Sequence, residues 1–165
     1  MMTTNRAAAL RQVYFHDPAA PVAGAVVPSV FVAVHSGDGR LLLVRRCDSG
    51  AWELPGGRVD VGEAALQTAV REVAEESGLQ VVVTGLAGVF TDPGHVVSAS
   101  TGEVRQQFVL VYRARVVGGF LRADHRETCE VAWVAPAEIP ALRMEPAVQV
   151  WVEHVLDGAA PLHLG

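Results

Sequence analysis

No feature constrains this chain more than the run from Gly57 to Leu79, which sets Glu72, Glu75 and Glu76 at i, i+3 and i+4 just ahead of Gly78. At about 100° per residue the three carboxylates fall within roughly a 100° arc of a helix. Like charges so placed repel, at about 0.2–0.5 kcal/mol for each i, i+4 pair. A bound divalent cation reverses the sign of that interaction. Asp60-x-x-Glu63 has the form of a capping box and sets the helix start near Val61–Glu63. Gly78 is the expected stop. Leu66, Ala69, Val70, Val73 and Ala74 cluster on a stripe roughly 120° from Glu72, the expected core face, so the glutamates are expected to face outward. Arg71 stands four residues before Glu75 and is expected to hold that carboxylate in place. Glu63, about 180° from Glu72 on a helical wheel, is expected to anchor the loop.

The rest of the chain reads as strands around this helix and a second one. Residues 1–25 contain Pro18, Pro21 and Gly24 and read as an N-terminal arm, with a short helix near Arg6–Gln12. Val26–Val34 is almost wholly apolar and suits a buried strand. Gly37-Asp38-Gly39 is a tight-turn signal, and Leu41–Arg46 reads as the returning strand. Trp52-Glu53-Leu54 forms a short strand ended by Pro55-Gly56-Gly57. Leu79–Phe90 suits strand with kinks at Gly85 and Gly88, Gln106–Val117 a long strand and Glu130–Val134 another. Thr91–Glu103 reads as a long polar loop or an irregular hairpin, and Phe120–Glu127 as a loop. Such loops often carry function. Glu145–Leu156, with Pro146 in its first turn and Gly158 beyond its end, is the second helix. The expectation is an α/β domain over residues 26–158, a mixed sheet sandwiched between helices, with residues 159–165 as a C-terminal tail.

Composition narrows the chemistry. The formal charge of −5 argues against a nucleic-acid partner. No apolar run approaches the ~20 residues of a membrane span, and no signal peptide is evident, so a cytoplasmic protein is expected. All 13 basic residues are arginine, which leaves the guanidinium as the only clamp for an anion. Arg45, Arg58 and His95 are candidate substrate contacts. For Arg45 the competing reading is a strand end, and for His95 the closing of a turn. Cys47 and Cys129 form no metal-like pattern and read as two reduced thiols. The N-terminal arm offers a means of pairing two subunits.

The spacing Gly57-x5-Glu63-x7-Arg71-Glu72-Val73-x-Glu75-Glu76-x-Gly78-Leu79 resembles the signature of the Nudix hydrolase family at every specified position. A chance match at a given start is on the order of one in a billion. With the preceding Trp-x-Leu-Pro-Gly-Gly and the order of strands and helices, the resemblance extends over most of residues 26–156. It implies a Nudix fold with a loop–helix–loop metal site, and hydrolysis of a nucleoside diphosphate linked to another moiety in the presence of Mg²⁺ or Mn²⁺. By position, Glu72, Glu75 and Glu76 would bind metal, with the Gly57 carbonyl as a further ligand. The box does not fix the general base: Glu72, Glu76, Glu103 and Glu127 are candidates, with Glu130 behind them. Pro93 approaches the position of a proline seen in members resembling ADP-ribose hydrolases. ADP-ribose, nucleotide-sugar and (deoxy)nucleoside triphosphate substrates all stay open. A ligand-sensing Nudix module without turnover is the alternative, although such modules often have altered boxes or added domains.

Overall fold

The computed structural model describes residues 10–165, and the first half of the helix expected near Arg6–Gln12 lies outside them. Gln12 itself opens a strand, β1 (Gln12–Phe15). It is followed by β2 (Ala25–Val34), β3 (Leu41–Arg46), β4 (Trp52–Glu53), β5 (Gly56–Arg58) and helix α1 (Ala65–Ser77). Then come β6 (Leu79–Phe90), β7 (His95–Ser98), β8 (Val104–Gly119), β9 (Thr128–Val134), a 3₁₀ turn (Ile139–Ala141), α2 (Pro146–Leu156) and β10 (His163–Leu164).

The apolar run of β2 is explained by burial on both faces. Val30, Val32 and Val34 point to the layer that holds Ala69 and Val73 of α1. Phe31 and Ala33 point the other way, to Val148, Trp151, Val152 and Val155 of α2. The sheet between the helices is mixed. β2 runs parallel to β8 from Ala25↔Arg105 to Val34↔Ala114 and antiparallel to β5. On the other edge of β8, β7 and then β6 pair antiparallel. A second sheet has the order β4-β3-β9. Register shifts at Val83/Gly85 and Leu86/Gly88 place the kinks of β6 at its glycines.

Several expectations are corrected. The arm and the tail each add a strand to the main sheet: β1 pairs with β7, and β10 pairs with β6. Thr91–Glu103 takes the hairpin alternative, because β7 lies within it. Helix α1 begins at Ala65, later than the capping-box reading; Asp60 and Glu63 close a turn ahead of it, and Gln67 caps the Ala64 N–H at 2.8 Å. The buried stripe of α1 also differs from the expected one. Leu66 and Val70 are exposed, whereas Thr68, Glu72 and Glu76 are buried beside Ala69 and Val73. The helix therefore turns its glutamates into the fold, where Gly56 and Gly57 leave room for them. The reduced-thiol reading is corrected too. Antiparallel β3 and β9 bring Arg46 opposite Thr128, and next to that pair Cys47 and Cys129, 82 residues apart, form a disulfide with Cα atoms 4.9 Å apart.

Candidate active site

The Pro55-Gly56-Gly57 segment runs along the edge of β2 and meets the inward face of α1. A Cβ on Gly57 would overlap the Glu72 carboxylate, and one on Gly56 would overlap the backbone of Val30 and Phe31. Only glycine permits this approach. The Gly56 N–H donates to Glu76 Oε2 at 3.0 Å. Glu76 is 3% exposed, and burial first, then the neighbouring Glu53, raises its carboxyl well above the ordinary range. Glu53 is itself buried and held by Arg46 at 3.0 Å; Arg46 also takes both oxygens of Asp48. Burial likewise raises the Glu72 carboxyl, against the pull of Arg71. Glu75, the third of the set, is exposed.

Arg71 does more than brace Glu75. Its Nε donates to Glu63 Oε1 at 2.6 Å and its Nη2 to Glu63 Oε2 at 2.9 Å, a two-pronged grip that ties the loop to the helix. Nη1 reaches Glu72 at 2.9 Å and Glu75 at 3.3 Å. Glu63 also accepts from the Thr68 hydroxyl at 2.8 Å, and these bonds, Arg71 first, hold its carboxyl down at about 2. The anchoring role expected for Glu63 is the one the geometry gives it.

Among the described residues no three acidic, histidine or cysteine side chains converge as a ready-made metal cage. The donor set nonetheless fits a hard cation. Glu72 and Glu76 are carboxylates held in a buried place with fewer positive partners than they need, and the Gly57 backbone lies against Glu72. A metal there would compete with Arg71 for Glu72 and Glu75.

These groups open onto a cavity of about 340 Å³. Its lining brings the acidic side chains Glu72, Glu75, Glu76, Asp124 and Glu127 together with Arg58, Arg105 and Arg11 and with Gln107, Ser29 and Phe31. Of the sequence candidates, Arg58 and Glu127 thus join the box residues. The Glu127 carboxylate makes no hydrogen bond or ion pair among the described residues, while Asp124 accepts the N–H groups of Arg126 and Thr128. Arg45 does not line the cavity and pairs with Glu130 at 2.9 Å. Glu103 is held by Arg58 at 2.9 Å and approached by Arg105 at 3.5 Å. Pro93 and His95 line a neighbouring aromatic cavity of about 590 Å³ with Phe15, Phe90 and Trp151. His95 is buried 5.7 Å from the Trp151 ring, and burial lowers its imidazole to about 4. Arg11, Arg105, Ser29 and Gln107 were not legible as site residues in the sequence, whereas Arg46 stood beside Arg45 as a candidate phosphate clamp or a strand end. The one signal was the period-2 placement of Arg105 and Gln107 on one face of β8.

The model of the NUDIX domain matches residues 26–155, which spans the cavity, the glycine pair and both helices. The chain belongs to the Nudix hydrolase family. It is 34% identical over 134 residues to a putative 8-oxo-dGTP diphosphatase of Bacillus subtilis, covering 81% of this chain and 83% of that one. It is 36% identical over 94 residues to an ADP-ribose pyrophosphatase of Methanocaldococcus jannaschii, covering 52% and 49%. Among solved structures it is similar to the MutT protein of Methanosarcina mazei, with a TM-score of 0.63 and 26% identity over 83% of this chain and 96% of that one. In this Nudix chain Glu72 and Glu76 of α1 are turned inward, toward the Gly56–Gly57 segment.

Proposed function

We propose that this Nudix protein hydrolyses the phosphoanhydride bond of a nucleoside diphosphate joined to a further group, with Mg²⁺ or Mn²⁺ as cofactor. The observation that carries this is the pair of buried, under-compensated carboxylates, Glu72 and Glu76, lining a cavity that also holds Arg58 and Arg105. Glu72, Glu75, Glu76 and the Gly57 carbonyl would hold the cation, which would supply charge neutralisation for the phosphate oxygens and a more acidic water. The chain's own residues supply the rest. Arg71 fixes Glu63 and Glu72 so that the loop before the helix cannot drift. Arg58 faces the phosphate chain. Glu127, with its carboxylate free, receives the proton of the attacking water as oxygen bonds to phosphorus and the bridging P–O bond breaks; the leaving phosphate keeps the bridging oxygen.

The relatives named for 8-oxo-dGTP and ADP-ribose bracket the substrate class. The test is a panel of nucleoside triphosphates, 8-oxo-dGTP, ADP-ribose and nucleotide sugars with Mg²⁺, followed as phosphate released by a coupled phosphatase. Glu76→Gln and Glu75→Gln are each expected to lower turnover by orders of magnitude in a folded protein. Near-normal turnover in either variant would remove that residue from the metal site. Silence of the wild type across the panel, with ligand-induced thermal shifts retained, would assign the chain to the sensing modules instead.

A further inference from the structure

The cavity's arginines have charge to spare. Arg105 is 9% exposed, its Nε has no hydrogen-bond partner, and its one ion pair is the 3.5 Å approach of Nη1 to Glu103 Oε2. The same oxygen accepts Arg58 Nη1 at 2.9 Å, so two guanidiniums share one carboxylate. Arg11, at the lead-in to β1, lines the cavity with no ion pair among the described residues. The site's other two arginines differ. Arg46 is matched by Asp48 and Glu53, and Arg71 by Glu63, Glu72 and Glu75. Two guanidiniums thus have one carboxylate between them, and Arg105 carries its share of the shortfall almost wholly out of water, while Arg11 lies in the combined field of Arg46, Glu53, Asp48 and Glu145. Buried cations are normally paired.

We infer that Arg105, Arg58 and Arg11 form a receptor for a terminal, unesterified phosphate, so that the site favours a nucleoside triphosphate over a diphosphate esterified at both ends. The inference rests on the hydrolase reading and narrows it. A diphosphate esterified at both ends carries one negative charge per phosphate, and both belong beside the glutamates with the cation. A terminal phosphate adds about −1.5 to −2 near neutral pH, which suits guanidiniums that share a single carboxylate. The planar guanidinium suits that group by donating two parallel N–H bonds to a phosphate. The roughly 340 Å³ of the cavity is where the phosphate chain would run.

The test uses the full chain and α,β-methylene ATP against α,β-methylene ADP-ribose. The two share base and uncleavable link and differ only in what hangs on the β-phosphate. Calorimetry repeated with the matched guanosine pair removes dependence on the base. The wild type is expected to bind the triphosphate analogue at least about tenfold tighter, the effect of one charge-assisted hydrogen bond or more. Arg105→Gln should lower that preference by about tenfold, and Arg105→Lys should restore part of it. Arg11→Gln, at a less buried position, should lower it as well and guards against a folding defect in the Arg105 variants. Equal affinity for the two analogues, no binding of either in both base series, or a preference unchanged in both glutamine variants would overturn the inference. Preference without turnover of any substrate in Mg²⁺ rejects the hydrolase reading and keeps the receptor. Turnover of ADP-ribose without preference for the triphosphate does the reverse.

Discussion

His95 offers the sharpest quantitative check on the fold around the site. Its imidazole is 6% exposed, beside Trp151 and Phe15, and burial lowers it from 6.5 to about 4. The native state therefore keeps His95 neutral at pH values where the unfolded chain has already protonated it. Between 6.5 and 4 the unfolded state binds more protons, and stability falls as pH falls. For these two values the loss between pH 7 and pH 5 is about 2 kcal/mol, approaching about 3 kcal/mol as pH nears 4. Other groups titrate in the same window, so the quantity to measure is a difference. Urea unfolding of wild type and His95→Gln at pH 7, 6 and 5 should show the gap between them moving by about 2 kcal/mol in favour of the variant as pH drops. Proton NMR of the imidazole should show no protonation above about pH 5. A gap that does not move with pH, or an imidazole that titrates near 6.5, would refute the placement of His95 in a dry aromatic wall.

Three other outcomes follow from the geometry. Gly57→Ala forces a methyl onto the Glu72 carboxylate; it should destabilise the protein by about 1–3 kcal/mol and lower turnover on the order of a hundredfold through misplacement of that side chain, as steady-state kinetics and urea melts would show. The Cys47–Cys129 disulfide closes a span of 82 residues, so its reduction should lower unfolding free energy by about 4 kcal/mol on the chain-entropy account; native protein should show no free thiols by titration, and denaturation with and without reductant gives the difference. Glu76→Gln should melt above the wild type in EDTA at pH 8, by roughly 2–12 °C for a gain of about 1–3 kcal/mol, because it removes a buried charge beside Glu53 and Glu72; saturating Mg²⁺ should stabilise the wild type and not the variant.

Local signals made the strands and the box legible. The two-sided burial of β2 was written in an unbroken apolar run, and the stop of α1 in Gly78, which adopts φ of 72°. The inward turn of the glutamates was not legible. A helical wheel ranks faces by apolarity, and here Leu66 and Val70 lose the inward face to Thr68, Glu72 and Glu76. The deciding fact is the approach of the glycine pair, a contact between segments that no periodicity encodes. Of the three cavity arginines without a full partner only Arg58 was legible, for a related reason. Arg11, Arg58 and Arg105 come from three separate strands or their lead-ins, and only the β2–β8 parallel register and the β2–β5 pairing bring two of them to one cavity. The disulfide likewise depends on the β3–β9 register.

The division of charge within the cavity has a consequence for how such a site can persist in a stable fold. Among the acidic groups, Glu53, Glu72 and Glu76 are all buried, and their compensation comes from Arg46, Arg71 and one backbone N–H. Among the cations, Arg105 is buried with half a carboxylate for company. Each set alone is unfavourable, yet neither neutralises the other, since among the described residues no ion pair joins Arg58 or Arg105 to Glu72, Glu75 or Glu76. That separation keeps the charges available to a polyanion with its cation and prevents a salt bridge from filling the gap. The surrounding structure must hold it open: β2 with apolar layers on both faces, α2 packed over one of them, and the Arg71–Glu63 clamp tying the loop to the helix. Unfavourable groups of this kind are typical of sites whose ligand supplies the missing charge. The metal and the phosphate chain together would bring both signs at once, which makes the protein's own charge deficit a source of binding energy.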